Sequence, residues 1–257
     1  MPDRYQTEPP LAGKVVLVVG ASAGIGADAA RVLAADGAAL MLVARSKAPL
    51  AALSAELESA GYDVAYTTGD VAEAADVTRF VNETTERFGR LDGAYNNAAM
   101  TQAGPLDKVT EDDFDAIMAV NVKGTWLCIR EQVRVMRAQG GGSIVNMSSI
   151  GGLRGSSGMG AYQATKHAVI GLTRTAAHDF GPLGIRVNVI APGPTETPML
   201  AQTRLAIPGG VEARIAATPL RKAGTGAEVG AAASFLLSDR ASHISGVILP
   251  VDGGFVT

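Results

Sequence analysis

A single cysteine, Cys128, in 257 residues rules out an intrachain disulfide, so no covalent staple holds this chain together. Cys128 sits in the apolar, helix-like run 126–129, where a buried thiol is a better reading than a nucleophile. Histidine is nearly as scarce. His167, His178 and His243 share no ligand spacing and no Cys/His/carboxylate cluster accompanies them, so no metal is expected. His167 follows Lys166 directly and would point about 100° away around a helix, toward packing or solvent. Positive charge is not in excess: 22 Lys and Arg against 25 Asp and Glu leave a net charge of −3, which argues against nucleic acid or an anionic membrane surface as partner. Apolar runs such as 15–19 and 38–44 are far too short to span a bilayer. The opening MPDRYQTEPP mixes charges with prolines, so residues 1–10 are expected to form a loose lead rather than a signal peptide, and a cytoplasmic location is expected. The GxSxG elbow of serine hydrolases is also missing.

What is abundant is apolar: 47% of residues are hydrophobic and 18% charged, enough for one large core and one α/β domain over 11–257. Short β-like runs alternate with longer alanine-rich segments of helical period. Strand 14–20, helix 24–37 and strand 38–44 make a first βαβ unit. The pattern continues through a helix near 47–60, a strand near 62–67, a helix near 73–88 and a strand at 91–97. A long helical region at 107–139, a strand at 143–149, a helix near 160–180 and a strand at 185–191 follow. The strands are continuously apolar, as expected where helices cover both faces of a parallel sheet. APGPTETPM (191–199), with three prolines and a glycine, predicts a turn or loop. A helix near 226–238 and the run SGVILPVDGG (245–254) close the chain. Glu111, Asp112 and Asp113 read as the first-turn charges of a helix.

Between the first strand and first helix lies VGASAGIG, with Gly20, Gly24 and Gly26 spaced GxxxGxG. Missing side chains let backbone approach a pyrophosphate, and the helix N-terminus favours its charge. Ser22, Ala23 and Ile25 belong to the same turn. An acidic residue ending the second strand would hold the adenosine ribose of NAD, but Val43-Ala44-Arg45-Ser46-Lys47 has none. Arg45, beside Ser46, could pair with the extra phosphate of NADP, so NADP is favoured over NAD.

Tyr162 and Lys166 stand at i and i+4 and therefore share one helix face. A nearby ammonium favours a phenolate and lowers a pKa that is ordinarily near 10, the direction that suits acid/base work. Ser149, 13 residues earlier at the end of a predicted strand, could set a hydroxyl against the same substrate oxygen.

With these residues in order, the sequence resembles the short-chain dehydrogenase/reductase family over residues 11–254. VGASAGIG resembles its cofactor turn, NNAA (96–99) its NNAG, Asn121 its helix-borne asparagine, SS before GG (148–152) its serine, YQATK (162–166) its YxxxK and PGPTET (192–197) its PG motif. The resemblance implies a doubly wound, mostly parallel seven-stranded sheet ordered 3-2-1-4-5-6-7. It implies Tyr162 as acid/base, Lys166 on the nicotinamide ribose, Ser149 orienting substrate and Asn121 anchoring a relay water. It also places Asp70 and Val71 at the adenine, Asn97, Ala98 and Ala99 along the cofactor, and Pro192, Gly193, Thr195 and Thr197 near the carboxamide. Without it, Asn121 reads as a polar break in a long helix and Asp70 as a helix N-cap. Val19 stands where relatives usually carry threonine, Ala99 where NNAG ends in glycine, and Thr195 where an aliphatic residue is common.

The implied activity is interconversion of a ketone or aldehyde with an alcohol, NADPH-dependent reduction being favoured. The alternatives are an NAD-dependent secondary-alcohol dehydrogenase and a non-catalytic nucleotide sensor. A segment near 195–222, with Leu200, Leu205, Ile207, Val211 and Ile215, would cover an apolar-tolerant pocket to which Met100, Ile150, Met159 and Met199 could contribute. Fatty-acyl, steroid, polyketide, sugar and small cyclic substrates all fit. A homotetramer is the assembly the resemblance implies.

Overall fold

The computed structural model describes residues 8–206 and 209–257. Residues 1–7 of the expected lead and Ile207 of the expected covering segment lie outside the described residues. The first unit is β1 (Val15–Val19), α1 (Gly24–Ala35) and β2 (Ala39–Ala44), followed by α2 (Lys47–Ser59), β3 (Val64–Thr68), α3 (Ala74–Phe88) and β4 (Gly93–Asn96). Then come α4 (Glu111–Met118), α5 (Gly124–Gln139), β5 (Gly142–Met147), α6 (Gly160–Phe180) and β6 (Ile185–Pro192). The chain ends through α7 (Pro198–Ala206), α8 (Gly210–Ala217), α9 (Gly226–Leu237) and β7 (Ile248–Val251). All strand pairs are parallel and the order is β3-β2-β1-β4-β5-β6-β7, as the resemblance implied.

The pleat divides the apolar strands between two cores. Val16, Val18, Leu40 and Leu42 face Leu33 of α1, Leu50 and Leu53 of α2 and Leu236 of α9. Their neighbours Leu17, Val19, Met41 and Val43 face Val77 and Phe80 of α3 and Leu127 and Val133 of α5. Each such side chain withdrawn from water contributes about 1.5–3 kcal/mol, so a strand apolar at every position gains on both faces. Cys128 belongs to the second core, and burial pushes its thiol up to about 12, as expected of an inert structural cysteine. Among the described residues, no helix is long and apolar enough to cross a membrane.

Polar groups within the layers are paired. Asn96 at the end of β4 donates to Gln132 of α5 (3.0 Å) and to Asn146 of β5 (2.9 Å), and accepts from Gln132 (2.7 Å). Asn146 donates on to Thr173 of α6 (3.0 Å). This buried amide ladder ties two helices to the two central strands beneath the cleft. Arg186 of β6 serves the other layer, donating to the carbonyls of Leu236 (2.7 Å) and Ser238 (3.0 Å) at the C-terminal end of α9, where Ser143 also donates to Leu236 (3.0 Å). At its start, α9 carries a Thr225–Glu228 capping box.

Three expectations need correction. The stretch 191–199 is not all loop: β6 runs on through Ala191 and Pro192, which pair in register with Pro250 and Val251 of β7. Proline is tolerated there because Val189 and Gly193 donate toward β7, so position 192 would donate toward β5, which has already ended at Met147. Pro198 then opens α7, where its missing N–H costs nothing, and Thr197 caps that helix by accepting from Leu200 N–H (3.1 Å). The helical region 107–139 is interrupted: a π-turn at Ala119–Lys123 lies between α4 and α5, with Asn121 at its centre. Asp70 is not a helix N-cap. Its carboxylate accepts from Ala72 N–H (2.9 Å) in an Asx turn, and the N-cap of α3 is Glu73.

The amide ladder yields a stability prediction. Gln132→Leu keeps the volume but strips Asn96 of a donor and an acceptor, and should cost about 2–4 kcal/mol in urea unfolding. A loss under about 0.5 kcal/mol would mean that Asn96 finds water or relaxes instead.

Candidate active site

The chain turns sharply where β1 ends. Gly20 has φ +88°, and a Cβ there would sit 2.6 Å from Ala98 N, so neither the conformation nor the space admits a side chain. Its carbonyl accepts from Asn97 Nδ2 (3.0 Å), and Gly26, in the first turn of α1, packs on that same carbonyl. Gly26 is thus a packing residue behind the turn rather than part of the cavity wall. No side chain caps α1 and no acidic residue lies in its first turn, so its N-terminal N–H groups and positive dipole end stay available for an anion.

A cavity of about 300 Å³ opens over this turn, walled by Gly20, Ser22, Ala23, Gly24 and Ile25. Arg45 and Ser46 from the end of β2 and Asp70 and Val71 after β3 complete its far side, with Asn97, Ala98 and Ala99 after β4. These groups fit a dinucleotide: backbone where phosphates would pass, polar ends at one extreme, a small-residue strand end at the other. The Arg45 side chain is 74% exposed and only loosely paired with Asp70 (3.9 Å).

The proton-transfer residues meet past the end of β5. Ser149 is in extended backbone, its hydroxyl accepting from Gly151 N–H (3.0 Å) and bonded to the Tyr162 phenol. One turn along α6 from Tyr162, Lys166 is only 3% exposed. Its Nζ donates to the Met147 carbonyl (3.0 Å) and lies 5.5 Å from the centre of the Tyr162 ring. Burial brings Lys166 down to about 8. The Tyr162 phenol is raised by burial, with the Ser149 hydrogen bond acting in the lowering direction. The expected net lowering of Tyr162 by its ammonium neighbour is therefore not what this arrangement shows: desolvation wins, and Nζ is turned to a carbonyl.

Asn121 does not line the cleft. Its amide accepts from Met100 N–H (2.9 Å) and donates to the Met100 carbonyl (2.9 Å) and to Thr165 Oγ1 (3.0 Å). Thr165 in turn donates to the Tyr162 carbonyl (2.7 Å), so the π-turn braces the segment after β4 against α6. That brace also relocates Met100, expected in the substrate pocket, to the wall of the dinucleotide cavity.

A second cavity of about 250 Å³ is lined by Tyr162, Ser149 and Lys166. Ile150, Met159, Met199 and Leu200 line it as expected, and so do Pro192, Gly193 and Thr195. Ile25, Asn97, Ala99, Thr197 and Met199 border both cavities, so the two halves are continuous. Thr195 Oγ1 donates to the Gly193 carbonyl (3.0 Å), tightening the turn at the cavity wall. The segment after β6 folds into α7 and α8, joined by Arg204, which bonds Glu196 (2.8 Å) and Glu212 (3.0 Å).

The profile of the family described as "Enoyl-(Acyl carrier protein) reductase" matches residues 20–256. The chain is 40% identical over 249 residues to levodione reductase of Leifsonia aquatica, covering 94% of this chain and 93% of that one. It is 42% identical over 250 residues to A-factor type gamma-butyrolactone 1'-reductase (1S-forming) of Streptomyces virginiae, covering 95% and 96%. The crystal structure of levodione reductase superposes with a TM-score of 0.91 at 39% identity, covering 95% of this chain and 98% of that one. The chain belongs to the short-chain dehydrogenase/reductase family. It is an oxidoreductase of alcohol and carbonyl groups whose family works with a nicotinamide cofactor.

Some residues of this short-chain dehydrogenase/reductase cleft escaped sequence reasoning. Gln163 pins the loop before α6, bonding the backbone and hydroxyl of Ser156 (2.9 and 2.5 Å). Lying between Tyr162 and Lys166, it could have been suspected. Arg154, Arg214 and Phe255 also line the substrate half, and no spacing along the chain announces them. His167 is exposed, its ring nitrogen against the Gln163 carbonyl (2.9 Å), away from the chemistry. Among the described residues no cluster of His, Cys, Asp and Glu could hold a metal.

The buried Lys166 gives a signed prediction. Between about 8 and its ordinary 10.5 the unfolded chain holds a proton that the folded chain does not, so stability rises with pH across that window. Below it, the buried charge costs the fold about 3 kcal/mol. Lys166→Met should therefore gain about 1–3 kcal/mol at pH 7, the orphaned Met147 carbonyl limiting the gain, and that gain should shrink toward pH 10. Denaturant curves at pH 7 and pH 9 check it. A variant less stable at pH 7 would contradict the account.

Proposed function

We propose that this chain reduces a ketone or aldehyde with NADPH through Tyr162, Ser149 and Lys166, and oxidises the corresponding secondary alcohol in the reverse direction. The observation that carries the reading is that Ser149, Tyr162 and Lys166 together line the substrate cavity, which runs on into the dinucleotide cavity, with Lys166 Nζ 5.5 Å from the centre of the Tyr162 ring. When bound, the nicotinamide supplies the hydride that forms the new C–H bond at the carbonyl carbon. Tyr162 supplies the proton to the oxygen, so that the C=O π bond is replaced by C–H and O–H. Burial keeps the phenol protonated at neutral pH, the form that reduction requires. Ser149 donates to the same oxygen and polarises it, and Lys166 offsets the negative charge left on Tyr162 before it is reprotonated.

Asn121 acts as a positioning residue, holding the start of α6 and the segment after β4 at a fixed separation. Asn97, through the Gly20 carbonyl, does the same for the phosphate turn. The preference for NADP rests on Arg45, which meets no acidic residue at the end of β2 and whose loose approach to Asp70 is easily exchanged for a phosphate. The substrate half is apolar, and among relatives the 2,5-dichloro-2,5-cyclohexadiene-1,4-diol dehydrogenase of Sphingobium indicum, 42% identical over 248 residues, is named for a ring substrate. Together with the gamma-butyrolactone reductase it supports small cyclic carbonyls as the class to try first. One catalytic domain over 11–257 with α7 and α8 as its cover is the organisation that goes with this reading.

The test follows the absorbance of NADPH and NADH against a panel of cyclic ketones and aldehydes, with an enoyl thioester included. Carbonyl turnover with NADPH, falling about 10²–10⁴-fold in Tyr162→Phe, is the expected result. Arg45→Ala should lower kcat/KM for NADPH about tenfold or more, one lost charge-assisted pair, and leave NADH nearly unchanged. Turnover surviving in Tyr162→Phe, or of the enoyl thioester alone, would reject the mechanism, and a preference for NADH would reject the cofactor assignment.

We also infer a homotetramer. Phe114 and Trp126 on α4 and α5 and Phe235 on α9 are large apolar side chains between 41% and 46% exposed, on faces that no described element covers. Light scattering should return four times the 26.2 kDa chain mass, and a monomer would refute it.

A further inference from the structure

Three cations line the substrate half of the cleft, and no aspartate or glutamate among the described residues lines it with them. Lys166 is occupied with the Met147 carbonyl, leaving Arg154 and Arg214. Arg214, half-buried on α8, directs its guanidinium at the Met159 sulfur (3.8 Å), a weak acceptor for a group with five N–H donors. Arg154, past the turn at Ile150–Gly152, lies over the Phe255 ring (5.0 Å), which orients it without neutralising it. Neither arginine has an ion-pair partner among the described residues. Arg204 on the neighbouring helix shows the contrast, with a carboxylate on each side.

The chain as a whole carries a net charge of −3, so a pocket wall with cations and no anion runs against the average. Low-dielectric walls concentrate such a field at the mouth of a cleft. The same cavity also has an apolar lining, with Ile150, Met159, Leu200 and Val211. One cavity holds the carbonyl-reducing Tyr162, an apolar lining and two guanidinium groups without an ion-pair partner among the described residues: we propose that the substrate is a carbonyl compound bearing a carboxylate, held by Arg214 and Arg154. A guanidinium matches a carboxylate in shape as well as charge, through two parallel N–H bonds. The assignment rests on the carbonyl-reduction reading and adds to it the charge of the substrate and the two residues that select it.

The test compares cyclohexanone-4-carboxylate with its methyl ester as substrates for the intact enzyme. The expected result is a kcat/KM at least about tenfold higher for the carboxylate, carried by KM, with the ratio falling toward one in the Arg154→Met/Arg214→Met double variant. Because the readout is a ratio of two substrates on one protein, a general loss of activity in the variant does not imitate it. An ester reduced as well as the acid by the unmodified enzyme, or a preference that survives in the variant, overturns the proposal. If neither ketone is reduced, the carbonyl-reduction reading fails on its own. Charge selection is then decided by thermal shift with cyclohexanecarboxylate against cyclohexanecarboxamide. Stabilisation by the carboxylate alone upholds the arginine assignment, and equal or absent shifts reject it.

Discussion

A buried ammonium group sits at the centre of this molecule, and much of the surrounding architecture can be understood from what it demands. Lys166 projects from the first turns of α6 to the end of β5, where its Nζ has the Met147 carbonyl within hydrogen-bond distance and a phenol ring at its side. Taking such a charge out of water is unfavourable unless it is held against acceptors. The end of a parallel strand is one of the few interior places where a backbone carbonyl lacks a ladder partner and can serve. The same strand end supplies Ser149 two residues later, and Ser148 anchors the α6 backbone by donating to the Lys166 carbonyl (2.8 Å). One strand terminus thus fixes the position of Lys166, the rotation of α6 and the placement of the serine.

For this to work, α6 must not shift along β5. The amide ladder Asn96–Gln132–Asn146–Thr173 supplies that restraint, because an inward-facing amide can be satisfied in only one register. Asn121 supplies a second. By diverting its amide to Met100 and Thr165 it forces the helix through a π-turn, an irregularity that persists because both amide ends are bonded. These groups lie beneath or behind the cleft and touch neither cavity except through others. They are costly to place in an interior and become favourable only as a complete set, which stiffens the region under the cleft.

This division explains what could be read from the sequence and what could not. Tyr162 and Lys166 were legible because helical geometry relates them locally, and the glycine turn because it stands between a strand and a helix of unmistakable pattern. The strand order needed the family resemblance, since no local rule tells β4 to pair with β1 rather than β3. Asn96 gave no signal as a structural amide: its partners are 36 and 50 residues away and only the folded sheet brings them together. Met100 was misplaced for the same reason, since its backbone is turned by an asparagine 21 residues distant. The proline-rich stretch failed differently. Its residues are poor at continuing a strand, yet β6 continues beside β7 alone, where one missing N–H has no consequence.

The two cavities differ in what they ask of the protein. The dinucleotide half is made of backbone and small side chains, so its shape follows from the turn after β1 and from Gly20, Asn97 and Gly26 locking that turn to β4. Changes there act through the main chain and leave little room for variation. The substrate half is walled by long side chains on α7, α8, the turn after β5 and the C-terminal segment, elements joined to the sheet at their ends rather than woven into it. Surface pairs such as Arg204 with Glu196 and Glu212 contribute little individually, so this cover can alter its lining without disturbing the core. A fixed half that takes a common cofactor and a replaceable half that takes the substrate follow from one arrangement: parallel strands ending together, with the chemistry set where they end.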